Sequence, residues 1–134
     1  MPLTFDIDTA SRVVELTCGN TSIERWRAVM AAVMADPRFE PGYSYLVDCR
    51  TATRAPSAQD VDAVVAFIGR HAAALGCGRW AVVVAADAGY GMARMASIRG
   101  DAAGIQLVAF RDVEAARRWV TAEATSTLHR SSAE

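Results

Sequence analysis

Apolar and polar positions alternate over residues 3–8, and a second apolar stretch over 12–18, alternating from Val14 on, follows with only Thr9, Ala10 and Ser11 between them. That period of two predicts a pair of half-buried strands joined as an antiparallel hairpin. Gly19 and Asn20 then break the chain, and Thr21 or Ser22 can cap a helix that carries Glu24 in its first turn. Ile23, Trp26, Met30, Val33 and Met34 recur at three- and four-residue steps and give that helix one apolar face, ended by Asp36-Pro37. A third strand is predicted over 43–49, followed by a polar connection over 50–56 without apolar period. Ser57 caps a second helix, buried through Val61, Val64, Val65, Ile68, Ala72 and Leu75 and stopped at Gly76.

The centre of the pattern runs from Arg79 to Met95. Seven apolar residues without a break, 80–86, suit a central strand covered on both faces. Residues 87–91 are predicted to reverse the chain, with Gly89 and Gly91 at positive φ. A third helix follows, with Met92, Met95, Ile98 and Ala102 inward and Gly104 at its end. A fifth strand over 105–110 and a last helix, capped by Asp112 with Val113, Ala116, Trp119 and Val120 inward, complete the chain. Residues 124–134 are Ser/Thr/Ala-rich and are expected to fray.

The predicted order is β-β-α-β-α-β-α-β-α. Strand–helix–strand units give parallel neighbours with right-handed crossovers. The expectation is an α/β single domain over 1–123, with a mixed five-stranded sheet and four helices.

Composition changes this picture little. The chain has 134 residues, 52% hydrophobic, with net charge −1 from 14 basic and 15 acidic residues. That is enough apolar material for one core and argues against disorder. Every basic residue is arginine, and none forms a basic block or stripe, which removes the electrostatic footprint of a nucleic-acid binder. No apolar run approaches the ~20 residues of a membrane helix. Cys18, Cys49 and Cys77 are odd in number and form no C-x-x-C pair, and the chain start lacks a basic-then-apolar leader. A reduced, cytoplasmic protein is the expectation.

Candidate chemistry is sparse. Gly89-Tyr90-Gly91-Met92-Ala93-Arg94 begins like a dinucleotide fingerprint, but Arg94 stands where a small residue is required, and the motif follows the fourth strand instead of the first. A looser anion site, made by free N–H groups at the helix start together with Arg94, stays open. Asp48 and Arg50 flank Cys49 at the end of the third strand. They read either as a polar pocket rim or as a local ion pair, Asp48 closing on Arg50 or Arg94. Cys49 as a nucleophile would need a base, and neither His71 nor His129 is placed to supply one. Histidine and cysteine show no metal-ligand spacing. Asp6 and Asp8 share the hairpin face expected to be solvated.

Three stretches carry a resemblance: Leu46-Val47-Asp48-Cys49-Arg50, Tyr90-Gly91-Met92-Ala93-Arg94-Met95, and the segment from Phe110 through Arg111 and Asp112 to Val120. Over roughly residues 3–121 the chain resembles the SpoIIAA-like family, within the STAS-type fold of anti-sigma-factor antagonists. The resemblance implies a small, non-catalytic cytoplasmic domain. Related folds act through protein partners or, in the lipid-carrying CRAL-TRIO proteins, bind apolar ligands. Phosphorylatable members of the STAS fold carry Asp-Ser at the corresponding helix start. Here Ser57 falls at the serine and Pro56 at the aspartate, so Ser57 reads first as a plain N-cap, with a phosphorylation site there as the weaker alternative.

The expected function is therefore regulatory protein binding, to a partner or as a homodimer, with no cofactor, no metal and no catalytic residue. The alternative is a carrier or sensor of an apolar or anionic small molecule. Its pocket would be rimmed by Asp48, Arg50, Tyr90, Gly91 and Arg94, with Met92 and Met95 beneath. An enzyme ranks third. A carrier calls for a closed apolar cavity, and a partner-binding domain for an exposed apolar patch.

Overall fold

A computed structural model describes the chain over residues 3–122. The chain starts with strands β1 (Thr4–Asp8) and β2 (Val13–Thr17) and helix α1 (Ile23–Ala35), followed by β3 (Ser44–Asp48), α2 (Ala58–Arg70) and the short α3 (Ala72–Leu75). Then come β4 (Trp80–Val83), α4 (Asp87–Ala102), β5 (Leu107–Phe110) and α5 (Val113–Thr121). The predicted tail, 124–134, lies outside the described residues.

The five strands stand in the order β1-β2-β3-β4-β5. β1 and β2 are antiparallel, and each later strand joins in parallel. This is the mixed sheet that the pattern predicts. In the hairpin turn, the Asp8 carboxylate accepts the N–H groups of Ala10 and Ser11 at 3.0 and 3.3 Å. Arg12 sits at φ 59° and lays its guanidinium 4.7 Å from the Tyr43 ring centroid. The hairpin's outward face is the solvated one, with Thr4, Asp6, Asp8 and Thr17 exposed.

The strand order fixes the layers. From β2 to β5 each crossover steps the same way along the sheet, so right-handed connections put α1, α2 and α4 on one face. There the main core forms from Leu16, Tyr45 and Trp80 of the sheet against Trp26, Met30, Phe67 and Ile68 of the helices. The opposite face carries a smaller cluster, Val13, Leu46, Ala81 and Val83, covered by Ala116 and Val120 of α5. Arg79 holds that helix in place: its guanidinium donates to the carbonyls of Trp119 and Ala122 at 2.8 and 3.0 Å. Trp26 and Trp80 are core residues; Trp119 is half-buried.

Three expectations are corrected. Residues 87–91 are not a turn. β4 ends at Val83, and Asp87 already opens α4, so Gly89 and Gly91 are helical; the positive-φ glycines are Gly42, Gly76 and Gly104. Ala86, in extended conformation, makes the corner without a glycine. The earlier start also rotates the buried face. Ala93, Ala96 and Gly100 point inward, while Ala102 is exposed and Ile98 is 67% exposed. Small side chains let α4 pack closely, with Gly100 against Ile105. The predicted second helix is divided at His71, whose ring nitrogen bonds the Phe67 carbonyl at 2.9 Å and whose ring stacks on Phe67, so the described helices number five.

Candidate functional site

The carboxyl ends of β2, β3, β4 and β5 lie side by side, with Thr17 opposite Asp48, Asp48 opposite Val83, and Val83 opposite Phe110. Successive residues on a strand point to opposite faces. Asp48 therefore faces the α5 side, while Cys49, one residue on, joins the main core together with Cys18.

The predicted site residues divide into separate groups. Arg50 closes on Asp48 in a two-pronged bond, donating through Nε at 2.9 Å and Nη2 at 2.8 Å, with its backbone N–H adding a third bond at 3.1 Å. That is the local ion pair, and it holds the Asp48 carboxyl below its ordinary pKa. Tyr90 is half-buried beneath Arg111, whose guanidinium carbon lies 4.5 Å from its ring centroid and which also bonds Asp87 at 2.7 Å. Met92 packs into the core. Gly91 is exposed, and a side chain there would meet nothing within 4 Å. Arg94 is exposed and makes no ion pair among the described residues. It stands two turns beyond Asp87, about 10 Å along the helix axis from the N–H groups at the start of α4. No described contact links the Asp48–Arg50 pair to the Tyr90–Arg111 group.

Ser57 is a cap in full. Its hydroxyl accepts the Asp60 N–H at 3.0 Å, and its own N–H donates to the Asp60 carboxylate at 3.2 Å. The loop before it is ordered by Asn20, whose amide oxygen accepts the N–H groups of Thr53 and Arg54 and whose amide nitrogen donates to Thr53.

Beside this loop lies a juxtaposition absent from the sequence reading. Cys18 and Cys49 each stand one residue beyond the last paired position of β2 and β3, and the Cys18 N–H bonds the Asp48 carbonyl at 2.9 Å. The interaction of the two thiols, together with burial, pushes Cys18 up, and the same interaction draws Cys49 down. Cys18 is buried, Cys49 half-buried and Cys77 exposed. Arg111 and Asn20 were likewise missed as organising residues. The β4–β5 register is the signal that brings Arg111 to the start of α4.

Two concavities lie elsewhere. One, about 380 Å³, wraps the outer edge of β5, between Ile98 and Asp101 of α4 and Trp119 of α5. The other is a broad depression along Ser22, the N-cap of α1, and Arg25, Val29 and Ala32 of that helix. Among the described residues, no group of three or more His, Cys, Asp and Glu side chains is placed to hold a metal ion, and no helix is long and apolar enough to cross a membrane.

The chain matches no family model, no curated protein and no solved structure.

Proposed function

We propose that this chain is a non-enzymatic interaction domain of the SpoIIAA-like type, and that it binds protein by taking an extended segment onto the free edge of β5. The observation that carries the reading is the apolar groove along that edge. β5 is the last strand of the sheet, and among the described residues no strand pairs with its outer side. The carbonyls of Gln106 and Phe110 accept from Trp80 and Val84 at 2.8 and 3.0 Å, so alternate residues, Leu107 and Ala109, turn their backbone groups outward. Unpaired edge groups are a template for an added strand. Ile98, the most exposed large apolar side chain among the described residues, flanks this edge on one face and Trp119 on the other. A second copy of the chain, pairing β5 with β5 about a two-fold axis, is one such partner.

The strand order supports the same reading. Crevices for small ligands in open α/β sheets form where the order reverses. Here it runs one way from β1 to β5.

The test uses Ile98→Asp, which charges the groove, and Ala109→Pro, which removes an outward N–H. Self-association is read by light scattering, and capture of other proteins by quantitative mass spectrometry, for wild type and both variants at matched thermal stability. Association lost in both variants supports the reading, and association that ignores both overturns it. A non-covalent small-molecule mass in native spectra, removed by Arg94→Ala or Tyr90→Ala, would favour the carrier instead.

A further inference from the structure

The parallel register does something to the cysteines that their spacing in sequence hides. Cys18 and Cys49 are 31 positions apart. Yet they follow the paired residues Thr17 and Asp48 on adjacent strands, and both side chains turn to the helix-covered face. Neighbouring strands run about 4.8 Å apart, inside the Cα separation of about 4.4–6.8 Å that a disulfide spans. The loops that follow are fixed to each other: Asn20 holds Thr53 and Arg54, and the Thr51 hydroxyl donates to the Cys18 carbonyl at 3.4 Å. The two cysteines are thus held side by side, on one face, by the sheet and by its loops. Cys77 precedes β4 at the opposite end of the sheet and cannot join them.

We propose that Cys18 and Cys49 form a dithiol site that a hydroperoxide converts to an intramolecular disulfide, with Cys49 as the attacking thiol and Cys18 as the resolving one. The assignment follows from access, since Cys49 is half-buried and Cys18 buried. The neighbouring Cys18 thiol also draws Cys49 down and so favours its thiolate. In the first step the Cys49 thiolate attacks the peroxide oxygen. The O–O bond breaks, the alkoxide leaves and takes up a proton, and Cys49 carries a sulfenic acid. In the second step the Cys18 sulfur attacks the Cys49 sulfur. The S–O bond breaks, hydroxide leaves with the Cys18 proton as water, and the S–S bond forms. Two thiols lose two electrons, and one hydroperoxide is reduced to an alcohol and water.

The test treats dilute, full-length protein with hydrogen peroxide, then blocks free thiols and maps peptides without reduction. The expected result is a bridged Cys18–Cys49 peptide, an intact mass lower by two hydrogens, and a fall in titratable thiols from three to one. The bridge is expected to form at least about tenfold faster in folded protein than in urea, because the fold supplies the effective concentration. In Cys18→Ser, Cys49 is expected to stop at the sulfenic acid and react with a dimedone-type trap. A Cys49 that stays reduced while Cys77 oxidises would overturn the proposal. So would Cys49 passing to the sulfinic acid in wild type without a bridge, or a bridge forming equally fast in urea. The wild-type mapping needs no variant to fold.

Discussion

The Tyr45 ring lies flat on the Trp80 indole, with centroids 3.8 Å apart and planes 12° from parallel. The two residues are direct partners across the β3–β4 ladder. Trp26 leans on Trp80 from α1 and meets Phe67 of α2 edge-on, so one aromatic stack joins the sheet to two helices. Within it, the Tyr45 hydroxyl is buried and has no hydrogen-bond partner among the described residues.

Removing that hydroxyl therefore relieves an unsatisfied group. Tyr45→Phe is expected to leave stability unchanged or raise it by about 1 kcal/mol, whereas Tyr45→Ala should cost about 3–5 kcal/mol. Urea denaturation of both variants checks this.

The same phenol sets an alkaline limit. Burial pushes its pKa above the ordinary value near 10. The unfolded chain loses this proton first, so above about pH 10 the folded state holds more protons and stability falls as pH rises. The fall should be shallower in Tyr45→Phe, measured as the urea midpoint against pH.

Glycine substitutions should divide sharply by position. A side chain at Gly78 would stand 2.0 Å from the Tyr43 carbonyl oxygen, and one at Gly76, at φ 77°, would stand 2.3 Å from the Gly42 nitrogen. Either alanine variant is expected to lose more than about 2 kcal/mol. Gly91→Ala, in an open position inside α4, should gain about 0.5–1 kcal/mol. Thermal denaturation of the three variants distinguishes them, and a loss at Gly91 would contradict the helical assignment.

Ser57→Ala removes the cap of α2 and should cost about 1 kcal/mol. Ser57→Asp keeps a capping oxygen and should stay within about 0.5 kcal/mol of wild type. Comparable losses in both variants would mean that the hydroxyl does more than cap.

Arg50 holds the Asp48 carboxyl below its ordinary value of 3.8. The pair's contribution is thus complete above that pH and is lost as pH falls through the lower folded value. Arg50 is exposed and its attraction to Asp48 is screened by water, so Arg50→Ala should leave stability nearly unchanged. Carboxyl-carbon NMR titration should show the Asp48 midpoint moving up in the variant.

The sheet was legible because each strand carries its own period and each crossover its own amphipathic helix. The start of α4 was not. Two glycines within five residues resemble a turn, and only contact with the sheet shows that Ala86 turns the corner and that Ala93, Ala96 and Gly100 join Met92 and Met95 on the inward face. Ile98 was misplaced for the same reason, since an apolar side chain at helical spacing gives no sign of which way the helix is rotated. Ser57 and the Asp48–Arg50 pair were readable because their partners lie two or three residues away. Cys18–Cys49 and Tyr90–Arg111 were not, because strand register alone brings them together.

The one-way strand order also bears on how the protein is made. Every strand after β1 pairs with the one that left the ribosome just before it, so the sheet can grow from a single moving edge, starting at the hairpin. Each βα unit adds a strand and the helix that shelters it, and each strand after β1 meets an edge already synthesised. α5 comes last, closing the second face only once the strands beneath it are in place.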